Sequence, residues 1–270
     1  MPELPEVEGF KKYFEETALH QQVKAIEILD TKILTPDPDD FQKKLSQQHF
    51  QSAERLGKYL LVPLDQSGVL VIHFGMSGHL EHFTERKQAP RFSRLIFHLG
   101  NGYLAFVCPR KFGRIDWTES SEAFRKAKKL STDARQMTYE EFYQNLYKRK
   151  APIKSVLLDQ KACAGEGNWI ADEMLFQARI HPEEKAHQLS DNQLEKLFEV
   201  MKSILELAIS KEADYDLYPP TFMIHRRGWT AIPPDPCERT DCELETLHFK
   251  VGGRATYICA QCQILNESDS

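Results

Sequence analysis

The sequence lacks long apolar runs, a secretory leader pattern and internal repeats. No stretch of about 18 or more apolar residues occurs, which argues against a membrane-spanning helix. The N-terminus shows no basic segment followed by an apolar one, so a signal peptide is not expected. No low-complexity tract is visible. We therefore expect an intracellular protein without a membrane partner, and the 270 residues suit two modest domains.

An excess of positive charge is also missing. Lysine and arginine total 35 against 40 aspartate and glutamate residues, and the net charge of -5 argues against a phosphate-rich partner, because such partners usually select a basic surface. Basic residues nevertheless cluster in the segments 110–114, 225–227 and 250–254. Only a fold that brings these segments together would produce a positively charged cleft.

Cysteine is scarce, and four of the six cysteines lie near the C-terminus. Cys237, Cys242, Cys259 and Cys262 form the pattern C-x4-C-x16-C-x2-C, which suits tetrahedral Zn²⁺ on four thiolates. In an intracellular chain this spacing favours a metal site over disulfides. Four thiolates leave no position for a substrate, so the predicted zinc is structural. In one interpretation the ion fixes a hairpin whose basic tip, Arg254, binds a ligand. In the other it stabilises a zinc ribbon that has only a structural role.

The apolar pattern changes near the middle of the chain. Residues 23–117 alternate short apolar runs with turn residues, which predicts a β-sandwich or barrel. From about Thr138 to Ala208 apolar residues recur at helical spacing, and Ser190 predicts the start of the last long helix. The consecutive prolines 219 and 220 end this pattern. The order indicates an α+β protein with a sheet part, a helical part and a cysteine-rich end.

Pro2 and Glu3 carry candidate chemistry. Loss of Met1 would expose the secondary amine of Pro2, and an α-amino group titrates near ~7.7 to 8.0, well below ~10.4 for lysine. Such an amine can attack C1′ of a nucleotide sugar and form a Schiff base, while Glu3 protonates the opening sugar. Taken alone, these two residues fit the start of a helix better, with an acidic N-cap and prolines in the first turn.

Further candidate residues lie inside the chain. The turn Gly165-Glu166-Gly167-Asn168 between two helical segments would aim backbone N–H groups at an anion such as phosphate. Met76, Arg110 and Phe112 have side chains that can wedge between bases when a nucleotide is extruded. Each signal is weak by itself, since a glycine turn usually only connects helices and a single Met or Phe usually lies in a core.

Taken together, these motifs resemble those of the formamidopyrimidine-DNA glycosylase family (Fpg/Nei). They occur in family order across nearly the whole chain, in the segments 2–8, 57–61, 73–78, 109–113, 165–173, 178–182 and 254–263. The stretch 167–173 is similar to the plant and fungal branch in particular. The resemblance implies an N-terminal β-sandwich domain (1–130), a helix-two-turn-helix domain (131–218) and a four-cysteine zinc finger hairpin (219–270).

The resemblance also implies a role for each matching residue. Pro2 would be the Schiff-base nucleophile and Glu3 the general acid. Lys58 would contact phosphate and transfer a proton during β-elimination, and Arg254 would bind phosphate and assist δ-elimination. Further contacts with DNA would come from Met76, Arg110 and Phe112, which fill the void left by the flipped nucleotide, and from Lys154 and Asn168, which hold the backbone near the lesion.

The implied function is base-excision repair by a bifunctional DNA glycosylase and AP lyase. Such an enzyme removes oxidised, ring-opened purines and nicks the strand by β,δ-elimination, with damaged double-stranded DNA as partner and one structural Zn²⁺ ion. We expect a monomer in the cytoplasm, associated with the nucleoid if the source is bacterial. Two alternatives stay open, namely Nei-like excision of oxidised pyrimidines and damage recognition without catalysis.

Departures from the family pattern bear on these alternatives. The first cysteine pair is C-x4-C where C-x2-C is usual, Cys108 replaces an aspartate, and Glu166 replaces an apolar residue. A charge at Glu166 would weaken or redirect contacts with phosphate. Only residues 211–236 separate the long helix from the first cysteine of the quartet, so the loop that closes over 8-oxoguanine in many relatives is short. Lesion preference therefore stays open.

Overall fold

The computed structural model describes residues 1–231 and 246–265 of the chain. The chain divides into two compact units, Met1–Lys129 and Leu130–Ser270. No helix within the described ranges is long and apolar enough to cross a lipid bilayer. The further predicted division at residues 218 and 219 stays a prediction, because residues 232–245 lie outside those ranges.

The first unit contains two four-stranded sheets and three α-helices. Its elements in chain order are α1 (Leu4–Thr17), β1 (Ala25–Ile28), α2 (Pro38–Leu45), β2 (Glu54–Leu56), β3 (Tyr59–Pro63), β4 (Val69–His73), β5 (His79–Phe83), β6 (Ser93–Leu99), β7 (Gly102–Val107), β8 (Arg114–Thr118) and α3 (Ser121–Lys128). The strand orders are β1-β6-β7-β5 and β2-β3-β4-β8, with all neighbours antiparallel. The predicted β-sandwich is confirmed.

One apolar core joins the two sheets to the first helix. Leu60 of β3 and its partner Ile72 of β4 pack in the same cluster as Phe97 of β6 and Phe106 of β7. Strand alternation turns every second residue toward this core. α1 adds Phe14, which is fully buried. The sandwich core therefore anchors the helix that begins at the start of the chain.

The described part of the second unit contains four α-helices followed by a β-hairpin. Its elements are α4 (Tyr139–Leu146), α5 (Ile153–Leu158), α6 (Asn168–Ala178), α7 (Asp191–Ser210), β9 (Thr246–Val251) and β10 (Arg254–Cys259). The hydroxyl of Ser190 accepts the N–H of Gln193 at 3.3 Å, so α7 starts where the sequence predicts. The predicted helical part is confirmed.

α6 is the central helix of the second unit. Residues 169–176 are all buried, and the helix packs against α5, α7 and β10. Polar side chains at such positions require hydrogen-bonding partners, because burial removes their water. Two acidic residues, Asp172 and Glu173, lie within this buried stretch.

Glu173 has two neutral hydrogen-bond donors. Its carboxyl group accepts the N–H of Met223 at 2.6 Å and the side-chain amide of Gln177 at 2.7 Å. Burial raises the pKa of Glu173 from 4.5 to about 7. Between these two values the folded protein holds a proton that the unfolded chain has lost, so the protein binds more protons when folded.

We predict that the contribution of Glu173 makes the free energy of unfolding fall as the pH rises from about 5 to about 7, opposite to the contribution of His73, whose pKa is lowered. The folded-state pKa of Glu173 exceeds the unfolded value, so its stabilisation is complete below pH 4.5 and is lost as the pH rises through about 7, by about 3 kcal/mol at most. The free energy of unfolding of E173Q should therefore rise relative to that of wild type across this range, whereas E199Q, whose carboxylate side chain is 62% exposed, should follow wild type. Urea unfolding across this pH range measures both slopes, and an unchanged slope in E173Q would contradict the assignment.

Candidate active site

The start of the chain is fixed by the first turn of α1. Glu3 is the N-cap residue, Pro5 lies in the first turn, and the N–H of Glu3 donates to the Glu6 carboxylate at 2.9 Å. The helix start favoured by these residues alone is therefore present. It also leaves Pro2 half-buried, directly before a Glu3 that is 3% exposed. A helix start and a candidate nucleophile coexist at the same residues.

Arg55 of β2 connects α1 to the turn that carries Lys58. Its guanidinium donates to the Glu8 carboxylate at 2.7 Å and to the carbonyl of Gly57 at 3.2 Å. Burial acts to raise the pKa of Glu8, but the hydrogen bond and charge of Arg55 outweigh it and lower the pKa overall. No sequence pattern singles out Arg55, whereas Glu8 lies within the first motif, 2–8.

Lys58 lies in the two-residue turn between β2 and β3. Leu56 pairs with Tyr59, and Gly57 takes the left-handed conformation at φ 57°, which glycine adopts without strain. Lys58 itself is only 6% exposed. The turn therefore holds this cation close to the sandwich surface instead of leaving it extended in water.

The pKa of His73, at the end of β4, depends on burial and on the charge of Lys58. Burial is the main cause that lowers the pKa of His73 to about 4, and the charges of Lys58, Arg114 and Lys128 lower it further. The Nδ1 atom of His73 lies 3.3 Å from the N–H of Gly75, which donates to it. His73 is therefore a neutral imidazole beside cations, and it is a site residue to which the sequence assigned no role.

Met76 and Phe112 lie in two adjacent loops. A Cβ atom on Gly75 would lie 2.4 Å from the carbonyl carbon of Phe112, so only glycine permits this approach. Met76 is 44% exposed and Phe112 is 53% exposed, unlike the core positions that such residues usually occupy. The guanidinium of Arg110 lies 5.3 Å from the centre of the Phe112 ring. The structure thus brings together the loops of three predicted wedge residues.

The loop that carries Arg110 and Phe112 is held by contacts with Arg94 and Asp30. Arg94 donates to the carbonyl of Cys108 at 2.9 Å and to that of Pro109 at 3.2 Å. Lys111 forms an ion pair with Asp30 at 2.8 Å, and its hydrogen bond is the main cause that lowers the pKa of Asp30. The buried thiol of Cys108 accepts the N–H of Gly113 at 3.3 Å. The cysteine at this departure from the family pattern therefore has a structural contact.

The glycine turn before α6 is held by Gln160. The side-chain oxygen of Gln160 accepts the N–H of Gly165, and its amide donates to the carbonyl of Glu166, both at 2.9 Å. Gly165 has φ 111°. The side chain of Glu166 is fully buried, so the expected negative charge on the face of this turn is not found there.

Lys154 and Asn168 both contact β10. Lys154 is completely buried, forms an ion pair with Asp172 at 2.6 Å and donates to the carbonyl of Ala255 at 2.7 Å. The side-chain amide of Asn168 donates to the same carbonyl at 2.9 Å. Their predicted contacts with DNA stay predictions, but the structure places both beside the hairpin tip. Asp172 is a site residue that the motif contains but sequence reasoning did not select.

Arg254 is the first residue of β10 and is exposed. Val251 pairs with Arg254 across Gly252 and Gly253, which have φ 56° and 77°. Positive φ at both central positions is typical of a type I′ hairpin turn, and glycine suits it. The turn therefore presents Arg254 at the tip of the hairpin, adjacent to the carbonyl of Ala255 that Lys154 and Asn168 hold.

Half of the cysteine quartet lies within the described residues. Cys259 is buried and Cys262 is half-buried, and the N–H of Cys259 donates to the side-chain oxygen of Gln263 at 2.9 Å. Within the described ranges no group of three or more His, Cys, Asp or Glu side chains could hold a metal ion. Cys237 and Cys242 lie outside those ranges.

Comparison with known proteins identifies relatives of both units. The sequence model of the formamidopyrimidine-DNA glycosylase N-terminal domain matches residues 1–115, and that of the formamidopyrimidine-DNA glycosylase H2TH domain matches residues 130–216. The curated formamidopyrimidine-DNA glycosylase of Ligilactobacillus salivarius is 32% identical over 283 residues, which cover 98% of this chain and 99% of the relative.

Solved structures of similar fold contain DNA. The complex between Lactococcus lactis Fpg and abasic-site DNA has a TM-score of 0.84 and 27% identity, and the match covers 97% of this chain and 100% of that chain. The complex of wild-type Lactococcus lactis Fpg with DNA containing N7-benzyl-Fapy-dG has a TM-score of 0.85 and 27% identity over 97% of this chain and 99% of that chain.

We predict that Glu8 and Arg55 stabilise the first unit as a pair. Their side chains are 9% and 5% exposed, so E8Q removes a negative charge that lies against a buried guanidinium and should cost about 3 to 5 kcal/mol. E8L/R55M, which keeps neither charge, should cost less than E8Q. K11M removes a Glu8 partner that is 22% exposed and should cost about 1 kcal/mol or less. Urea unfolding gives the loss in free energy of unfolding for each of the three variants. A loss in E8Q no larger than that in K11M would refute the prediction.

Proposed function

Because the chain belongs to the formamidopyrimidine-DNA glycosylase family, we propose that it excises oxidised, ring-opened purines from duplex DNA and then nicks the strand. The observation that supports this most is the start of α1, where a half-buried Pro2 precedes the buried carboxyl group of Glu3. The Lactococcus lactis complexes with abasic and Fapy-containing DNA support the same substrate class for this chain.

The first step of the proposed reaction forms a Schiff base at Pro2. With Met1 removed, the lone pair of the Pro2 nitrogen attacks C1′ of the damaged nucleotide. The base leaves with the electron pair of its bond to C1′ and takes up the proton released by the Pro2 nitrogen. Glu3 donates a proton to O4′ as the bond between O4′ and C1′ breaks, and an iminium forms between Pro2 and C1′.

The second step breaks the DNA strand. The iminium acidifies the hydrogen on C2′, and Lys58 transfers this proton as the 3′ phosphate leaves with the electron pair of its bond. In a second elimination the hydrogen on C4′ passes to water as the 5′ phosphate leaves with the electron pair of its bond to C5′, and water then hydrolyses the iminium to free Pro2. Arg254, exposed at the hairpin tip, would bind phosphate as its negative charge develops. Met76, Arg110 and Phe112 would fill the gap left by the extruded nucleotide.

The two alternatives differ in what supports them. The short segment 211–236 favours the oxidised pyrimidines of the Nei branch, because a reduced loop would close less fully over a large purine. A panel of duplexes with one lesion each separates these substrates. Damage recognition without catalysis was suggested by Glu166, Cys108 and the acidic composition. Both side chains are buried, so neither places an altered group on the surface, and support for this alternative is reduced.

We further propose one structural Zn²⁺ ion on Cys237, Cys242, Cys259 and Cys262. The turn from Cys259 to Cys262 fits half of such a site, since a hydrogen bond of 3.0 Å from the N–H of Gln263 to the carbonyl of Cys259 closes it. When bound, the ion would hold the hairpin that carries Arg254. We also propose that the protein is a monomer that works in the cytoplasm, at the nucleoid if the source is bacterial.

We predict that borohydride traps a covalent complex with lesion-containing duplex and that its mass corresponds to a protein without Met1. E3Q should slow formation of the Schiff base on lesion-containing duplex by about 10² to 10⁴-fold, because the general acid that protonates O4′ is lost. The sugar of a preformed abasic site opens to its aldehyde without the enzyme, so the same variant should trap that site with a much smaller loss. E16Q, an exposed position of the same helix, is the matched control. Absence of trapping by protein shown to lack Met1 would overturn the mechanism.

We predict one Zn²⁺ per chain, released when the thiolates are modified. C262S removes one of the four proposed ligands and should lower the metal content and weaken binding to abasic duplex, while Schiff-base chemistry at Pro2 persists at high DNA concentration. C163S, which changes a buried cysteine of α5–α6 outside the quartet, serves as control. Elemental analysis of the purified protein gives the stoichiometry. Metal content unaffected by C262S would exclude this ligand set.

A further inference from the structure

The outer edge of β10 has no neighbouring strand in the described structure. The hairpin is a two-stranded sheet, in which β10 pairs only with β9. Arg254 pairs with Val251 beside the turn, so alternation along the strand turns the carbonyl of Ala255 and the N–H of Tyr257 away from β9. Unpaired groups of this kind need other partners when they are buried.

Side chains of α5 and α6 supply those partners. Lys154 and Asn168 donate to the carbonyl of Ala255 at 2.7 Å and 2.9 Å, and the Asp172 carboxylate accepts the N–H of Tyr257 at 3.1 Å. These contacts substitute for a third strand. The hairpin that presents Arg254 is therefore docked on two helices by polar contacts.

Asp172 joins this edge to two buried cations. Its carboxylate forms ion pairs with Lys154 at 2.6 Å and with Arg227, and the three side chains are 0%, 1% and 2% exposed. Arg227 also donates to the carbonyl of Asn168 at 3.1 Å, and its guanidinium lies 4.7 Å from the ring centre of Tyr257. One carboxylate thus links α5, α6, the segment before the cysteine quartet and β10.

The ammonium group of Lys154 is fully used within this cluster. An ammonium has three N–H donors. Lys154 donates hydrogen bonds to the carbonyl of Ala255 at 2.7 Å and to the hydroxyl of Thr256 at 2.9 Å, and its nitrogen also forms the ion pair with the Asp172 carboxylate. A side chain that is buried and saturated in this way presents no donor to a DNA phosphate.

We propose that Asp172 is a positioning residue that locks Lys154 and Arg227 against β10, so that Lys154 acts on DNA through the Arg254 hairpin and not by touching phosphate. This inference rests on the proposed function for its effect on DNA binding. The packing of Asp172, Lys154 and Arg227 against β10, called the lock below, is a property of the free protein. It reassigns Lys154 from the DNA-contacting set to the support of Arg254.

The lock is tested first without DNA. Amide hydrogen exchange at Tyr257 reports on the bond to Asp172, because this N–H faces away from β9. In K154M and in D172N the Tyr257 amide should exchange at least about tenfold faster than in wild type, whereas amides of β3 and β4 should be unchanged. E199Q, a surface carboxylate of the same unit, should match wild type. Should D172N fail to fold, K154M decides. Wild-type protection of Tyr257 in K154M would overturn the lock.

The second arm measures the salt dependence of binding to a duplex with an abasic-site analogue. Loss of one phosphate contact lowers the slope of log K against log salt by about 0.9. R254A should show this change, and K154M should weaken binding about tenfold; because Lys154 acts through Arg254, the double variant K154M/R254A should keep the slope of R254A. A slope of the double variant lowered by about 1.8 would show that Lys154 makes a phosphate contact of its own and would overturn the inference. If wild-type protein does not bind the duplex, the proposed function fails, and hydrogen exchange still decides on the lock.

Discussion

The Asp172 carboxylate is the constraint on which the second unit depends. It neutralises two cations in a region that excludes water, and it also accepts a backbone N–H from the edge of β10. Removing any member would leave a buried charge or a buried backbone group without compensation, which is costly in a medium of low dielectric. The helices α5 and α6 and the hairpin must therefore keep one mutual arrangement. The position of the exposed Arg254 depends on that arrangement.

The first unit applies the same principle on a smaller scale. Arg55 donates hydrogen bonds to both Glu8 and the Gly57 carbonyl, so the turn of Lys58 is tied to α1, the helix whose N-cap is Glu3. The Lys111–Asp30 ion pair fixes the loop that carries Phe112. In both cases the residue proposed to act on DNA is separate from the residues that hold its backbone. The chemistry and its support lie on different side chains.

Some departures from the family pattern lose their apparent significance once burial is known. Glu166 suggested a negative charge on a phosphate-binding turn, but its side chain lies inside and the turn is held by Gln160. Cys108 contributes a sulfur acceptor to the neighbouring Gly113. Conversely, Lys154 matches the family pattern by position and yet is saturated by internal contacts. Matching residues by position alone does not reveal which face of the protein they reach.

The sequence by itself predicted a β-sandwich or barrel, the helical part, the start of α7 and a hairpin with Arg254 near its tip, because strand alternation, helical spacing and turn residues are local patterns. Through distant motifs it also made Pro2 and Glu3 candidates for catalysis, which stays a prediction. Only the tertiary structure decided which polar side chains are buried and what they bind. Glu8 and Arg55 are 47 positions apart, and Lys154 and Ala255 are 101 apart. Such pairs leave no local pattern, since their energy comes from the removal of water when separate segments meet.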